Sequence, residues 1–172
     1  PLPIRNHVIV MGDGGSAVTL LDGGGFRAMG DPHSVAFEAR GLTLANGDNG
    51  VHAYWFTLDE SYDTFVALED VHIRDMSQRG LDLDARGHVD DGAECVVTLQ
   101  GVRIERCASD GAWITCSSLD QSTCDISVVD CELSRCGGWG LRTGVGGEPG
   151  GGAAVFVRSR ITGNRQGGVV GG

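Results

Sequence analysis

The chain has 172 residues, 29 of them Gly and four Pro, with 41% apolar residues and a formal net charge of −10. Gly costs about 1 kcal/mol against Ala inside a helix, which excludes a helical bundle, and the absence of a Gly-X-Y period excludes collagen. The clustered apolar runs exclude a disordered chain, 23 acidic residues against 13 Arg and no Lys argue against a nucleic-acid partner, and no apolar run is long enough for a membrane-spanning helix.

Val8-Ile-Val-Met11 and Val18-Thr-Leu-Leu21 are predicted strands of an imperfect first coil over 1–36. From residue 37 a pattern recurs. Phe37-Glu-Ala-Arg-Gly-Leu-Thr-Leu44 is followed by Gly50-Val-His-Ala53, and Val66-Ala-Leu-Glu-Asp-Val-His-Ile73 by Gly80-Leu-Asp-Leu83. Val97-Thr-Leu-Gln-Gly-Val-Arg-Ile104 is followed by Gly111-Ala-Trp-Ile114, and Ile126-Ser-Val-Val-Asp-Cys-Glu-Leu133 by Gly140-Leu-Arg-Thr143. Ala154-Val-Phe-Val-Arg-Ser-Arg-Ile161 precedes Gly168-Val-Val170 in the last copy. The offsets are 29, 31, 29 and 28 residues. Within each copy apolar residues alternate at period 2, the mark of strands with one buried face. A unit this small cannot bury that face alone, but stacked units share one core.

The expected fold is all-β: a single-stranded right-handed parallel β-helix, or solenoid, of about five to six coils of 28–31 residues. Leucine-rich repeats lack support because their consensus is missing, and an antiparallel sandwich lacks recurring hairpin turns. The whole chain, 1–172, reads as one β-helix domain with regular coils over 37–172. It opens at Pro1 and ends at Gly171-Gly172 without an amphipathic cap, and we expect it to be a monomeric segment of a longer protein.

The Val-x-Leu-x-x-Val-x-Ile unit followed by Gly-Leu-x-Leu resembles the repeat of right-handed parallel β-helix proteins of the pectate-lyase-like group. Val8-Ile-Val-Met-Gly-Asp-Gly14, Leu21-Asp-Gly-Gly-Gly25 and Gly41-Leu-Thr-Leu-Ala-Asn-Gly47 are similar to the first coils of bacterial secreted and surface members. The resemblance spans nearly the whole chain and implies an extracellular or cell-surface location. It does not select an activity, because the group includes lyases, hydrolases, epimerases, adhesins and phage tailspikes.

Alternation assigns the faces. Inward rows are Phe37, Val66, Val97, Ile126 and Ala154; Leu42, Val71, Val102, Cys131 and Ser159; Leu44, Ile73, Ile104, Leu133 and Ile161; and Val51, Leu81, Ala112, Leu141 and Val169. Gly50, Gly80, Gly111, Gly140 and Gly168 share a corner where positive φ or a crowded backbone would require Gly. Gly47, Met76, Cys107, Cys136 and Asn164 line up at the preceding turn, a ladder that includes two stacked Cys. The six Cys have no C-x-x-C spacing, and free buried thiols and inter-coil bridges are both compatible with their positions. Thr43, His72, Arg103, Glu132 and Arg160, beside Arg74 and Glu105, read as a solvated ladder of ion pairs.

The outward row of the third strand carries the chemistry. His52, Asp82, Trp113 and Arg142 align, with Tyr54, Asp84 and Thr115 one step further and Trp55 entering the adjoining loop. An aromatic face can stack on a sugar ring and Arg can grip a uronate carboxylate. Trp113, Trp55, Asp84 and Thr115 are therefore candidate substrate-binding residues. His52 and Tyr54 are candidate bases, and Asp82 and Arg142 candidate partners in catalysis. Asp82, Asp84, Asp90 and Asp91 are candidate Ca²⁺ ligands. No catalytic Arg motif of pectate lyases and no paired-Asp signature of polygalacturonase-like hydrolases is present. The expected function is a non-catalytic binding, adhesion or scaffold domain associated with a polysaccharide or cell-surface glycan. The alternative is a polysaccharide lyase or epimerase acting on acidic glycans.

Overall fold

The computed structural model describes residues 2–4, 7–12, 20–29, 35–57, 64–87, 94–118, 123–146 and 152–171. In chain order the strands are β1 (Leu2–Ile4), β2 (His7–Met11), β3 (Leu20–Asp22), β4 (Phe26–Met29), β5 (Val35–Ala45), β6 (Val51–Thr57), β7 (Thr64–Arg74), β8 (Leu81–Gly87) and β9 (Glu94–Gln100). They continue as β10 (Arg103–Glu105), β11 (Ala112–Ser118), β12 (Thr123–Val129), β13 (Glu132–Ser134), β14 (Trp139–Gly146), β15 (Gly152–Val157), β16 (Arg160–Thr162) and β17 (Gly167–Gly171). No helix occurs among the described residues.

Every strand pair is parallel, and each residue sits beside its equivalent in the next repeat: Phe37 beside Val66, Val66 beside Val97, and Val97 beside Ile126. The chain is a parallel β-solenoid with three faces. β2, the first parts of β5 and β7, and β9, β12 and β15 make the first face. β3, the last parts of β5 and β7, and β10, β13 and β16 make the second. β1, β4, β6, β8, β11, β14 and β17 make the third, a separate seven-stranded sheet. The solenoid has about four turns, a small difference from the expected five to six. Strands at either end flank these turns and pair on one side only, so Phe156 and Val169, which take inward positions, stay 40% and 49% exposed.

The predicted inward rows build one continuous core. Phe37, Val66, Val97, Leu44, Ile73, Ile104, Leu133, Leu81 and Leu141 are fully buried. Further rows complete it: Ala39, Leu68, Leu99 and Val128 on the first face, and Ala53, Leu83 and Ile114 on the third. Burying each aliphatic side chain is worth about 1.5–3 kcal/mol.

Two corners turn the chain through left-handed backbone. Between the first and second faces, Gly41, Asp70, Gly101, Asp130 and Arg158 have φ of 61°, 49°, 62°, 54° and 47°. After the second face, Asn46, Asp75, Arg106, Arg135 and Gly163 have φ of 58°, 57°, 54°, 57° and 65°. Asn and Asp tolerate this region through local hydrogen bonds, while Arg gains nothing there by itself. The arginines at these corners are held from the previous coil. Arg106 Nε lies 2.6 Å from Asp75 Oδ1, and Arg158 Nε lies 2.6 Å from Asp130 Oδ1.

The corner glycines have a different reason. Gly50, Gly80, Gly111 and Gly140 do not have left-handed φ. A Cβ on Gly80 would strike Ile104 Cγ2 and stand 2.7 Å from Gly111 O. Crowding against the next coil, not backbone handedness, requires Gly there. Cys107, Cys131 and Cys136 are buried free thiols. Cys95 and Cys124 are register partners, as their alignment predicts. The hydrogen bond with the Cys136 thiol, aided by burial, holds the Cys107 thiol far above the usual range, so it stays protonated.

Replacing Gly80 by Ala should lower stability by about 1–3 kcal/mol through overpacking. Gly101→Asn, at an open left-handed position, should change it by less than about 1 kcal/mol. Urea unfolding of both variants checks the pair.

Candidate functional site

The third face gathers the predicted row in register. Arg27 pairs with His52, His52 with Asp82, Asp82 with Trp113, and Trp113 with Arg142. Alternation turns these side chains outward, because Val51, Ala53, Leu81, Leu83, Ala112 and Ile114 on the same strands fill the core. His52 Nε2 is 3.9 Å from Asp82 Oδ2. The second row is also in register, Tyr54 beside Asp84 and Asp84 beside Thr115. Thr115 Oγ1 donates to Asp84 Oδ1 at 2.9 Å and lies 3.3 Å from Leu83 O. Trp55 lies in β6 beside Ala85. Asp90 and Asp91 lie outside the described residues, and among the described residues no group of three His, Cys, Asp or Glu is placed to hold a metal.

Arg79 organises this row and was not singled out from the sequence. Its Nη1 lies 3.1 Å from Asp82 Oδ2, and its guanidinium carbon stands 3.7 Å from the centre of the Trp113 ring. The Arg142 guanidinium carbon is 4.6 Å from the same ring centre. Cation–π contacts of this kind contribute about 0.5–2 kcal/mol and fix the ring's tilt. Arg142 is exposed and has no carboxylate partner among the described residues. Arg79 is itself held by its neighbours. Its backbone N donates to Asn49 Oδ1 at 3.0 Å, and its Nε lies 3.8 Å from the buried Asp110. Asp110 Oδ1 in turn accepts from Trp139 N at 2.7 Å. The sequence signal was positional: Asn49, Arg79, Asp110 and Trp139 each immediately precede a corner Gly.

The second face differs from the solvated ladder expected there. Glu105 is buried, with its side chain 4% exposed, and Thr43 is buried as well. Four cationic or polar groups close over the carboxylate. Glu105 Oε1 lies 2.6 Å from Arg106 Nη1 and 3.2 Å from His72 Nε2. Glu105 Oε2 lies 2.7 Å from Arg135 Nη2 and 3.2 Å from Arg103 Nη2. The long guanidinium stems of adjacent coils cover what a lone exposed pair would leave wet. Arg106 also grips Asp75 through two hydrogen bonds, and Arg74 Nη1 donates to Asp75 Oδ2 at 2.7 Å. A groove of about 660 Å³ follows the adjoining corner, lined among others by Asn46, Asp48, Asp75, Met76, Ser77 and Arg106.

Burial acts to raise the Glu105 pKa, but the Arg106 hydrogen bond and the surrounding charges outweigh it and leave the carboxyl below its ordinary value. The Arg106 hydrogen bond holds Asp75 at about 2. Burial lowers His72, against the opposing pull of Glu105. All three groups bind protons more readily in the unfolded chain, so stability rises with pH across their titrations.

Comparison of the chain with models of known protein families, with curated proteins and with solved structures gives no match in any of the three.

Stability should therefore decline as pH falls below about 6.5, where His72 protonates in the unfolded chain, and more steeply from about pH 4 toward pH 2 as Asp75 and Glu105 are neutralised. Glu105→Gln should cost about 3–5 kcal/mol at pH 7, because the clustered arginines lose their shared anion. It should also flatten the acid limb. Urea titrations at pH 7, 5 and 3 read both effects.

Proposed function

We propose that the chain is a non-catalytic binding domain whose third face docks an extended carbohydrate across successive coils. The observation that carries this reading is the unbroken outward row Arg27, His52, Asp82, Trp113 and Arg142 on neighbouring parallel strands. Strands about 4.8 Å apart repeat on a length close to that of one sugar residue. Trp113 supplies an aromatic ring with Arg79 and Arg142 set against it, and Arg142, without a carboxylate partner among the described residues, supplies a cation suited to a uronate carboxylate. The repeat's resemblance to pectate-lyase-like β-helix proteins supports a glycan ligand and a secreted or cell-surface location.

The lyase or epimerase alternative has less behind it. The sequence carries no catalytic motif of pectate lyases or polygalacturonase-like hydrolases, and such an enzyme would need His52 or Tyr54 as its base, of which His52 Nε2 lies 3.9 Å from Asp82 Oδ2. Ca²⁺ remains a proposal through Asp82 and Asp84 with Asp90 and Asp91, and such a cation would offset the repulsion between an acidic protein and an acidic glycan.

Binding to an array of neutral and uronate-containing oligosaccharides tests the reading. Trp113→Ala should weaken binding to every ligand by about tenfold, near 1.4 kcal/mol, and Arg142→Ala should weaken binding selectively to uronates. Absence of binding across the array, or ligand affinity indifferent to Trp113, would refute it. Release of unsaturated product from a uronate polymer would replace it with the lyase alternative.

A further inference from the structure

The repeat makes Ser134 the equivalent of Glu105. The two are register partners on adjacent strands, and both point outward from the second face. Glu105 is satisfied by His72 from the coil before it and by Arg106 from its own corner, with Arg103 and Arg135 adding to these. One coil further on, the register puts Arg103 where His72 stood and Arg135 where Arg106 stood. The donors recur, but the acceptor has become a serine.

Two independent observations single out this position. Ser134 is 3% exposed, and its hydroxyl oxygen is buried without a hydrogen-bond partner. A buried hydroxyl left so keeps the cost of its desolvation with nothing to offset it. The charge around it is also unbalanced. Arg74, Arg103, Arg106, Arg135 and Arg160 face Asp75, Glu105 and Glu132, five cations against three anions, in a chain whose net charge is −10. Arg103 and Arg135 are 45% and 57% exposed, so their outer N–H groups reach solvent. Arg160 is exposed, follows Glu132 in the same row, and has no carboxylate partner among the described residues. Glu132, the neighbouring carboxylate, lies 3.9 Å from Arg103 Nε.

We propose that Arg103, Arg135 and Arg160, set around Ser134, bind an oxyanion group of an external ligand, a sulfate or a carboxylate. The group takes the place that the Glu105 carboxylate fills one coil earlier. Arg135 turns outward to meet it, and the Ser134 hydroxyl donates to it. This site lies on the second face and does not depend on the third-face row.

The test follows the arginine Nε–H resonances by NMR while sodium sulfate, and separately sodium acetate, replaces chloride at constant ionic strength. Saturable shifts confined to Arg103, Arg135 and Arg160 are expected. A response to sulfate alone identifies a tetrahedral ligand group, and a response to both ions identifies a carboxylate-accepting one. Ser134→Glu supplies the carboxylate from within the chain. It should weaken sulfate binding at least about tenfold and raise the urea midpoint. Arg160→Ala lies outside the Glu105 network, so it should fold with parental stability and weaken sulfate binding about threefold. The proposal is overturned by the absence of saturable shifts with either ion, by parental sulfate affinity in Ser134→Glu or Arg160→Ala, or by a lower urea midpoint in Ser134→Glu.

Discussion

Parallel backbone ladders join successive coils, and their register decides what every side chain meets. A residue's closest long-range neighbour is its equivalent 28–31 positions away in the regular repeats, so chemistry is sorted into rows running along the axis. Like stacks on like in the core, where Ile73, Ile104 and Leu133 form one column. The turns obey the same rule: Ala108 N donates to Met76 O and Gly137 N to Cys107 O, both at 2.9 Å. A parallel ladder alone would tolerate slippage. Gly50, Gly80, Gly111 and Gly140 oppose it, since each admits the next coil only where a side chain is missing.

Stacking like on like suits apolar residues and is unfavourable for charges, because equal charges one strand apart repel. The second face resolves this by alternation and by depth. His72, Arg103, Glu132 and Arg160 occupy one row, and Arg74, Glu105, Ser134 and Thr162 the next. One buried carboxylate collects donors from three coils. Such a hub is a weak source of net stability, since desolvation offsets much of the Coulomb gain. Its clearer effect is on register, because a coil displaced by one residue would leave Glu105 buried among the wrong partners. The same logic operates at the corners, where Arg106 and Arg158 occupy left-handed backbone while bonded to an Asp one coil back.

Periodicity made the fold legible. Five copies with period-2 alternation identified four inward rows, with the Ala39 and Ala53 rows added by the structure, and the third-face row came out in register because outward positions follow from inward ones. What periodicity could not show was distance from solvent. Glu105 occupies an outward position, and only the length and convergence of Arg103, Arg106 and Arg135 bury it. Arg79 escaped notice because it sits in a turn, where alternation says nothing, and reaches forward three residues to Asp82 and across a coil to Trp113. The left-handed corners were hidden for a related reason. Glycine is the expected marker of positive φ, yet most of the residues holding these corners are Asp, Asn or Arg.

Variation in repeat length is unevenly distributed around the solenoid. From the first inward residue of a copy to its corner Gly, the count is 13 in the first regular copy and 14 in the next four. From that Gly to the next copy it runs 16, 17, 15 and 14. Two edges of the prism are thus metrically fixed, and one seam absorbs insertions without disturbing the stack. The third face borders that seam. Its surroundings can be rewritten by lengthening or shortening the connecting segments while the row beneath keeps its spacing, which separates the part of the molecule that can diversify from the part that must stay in step.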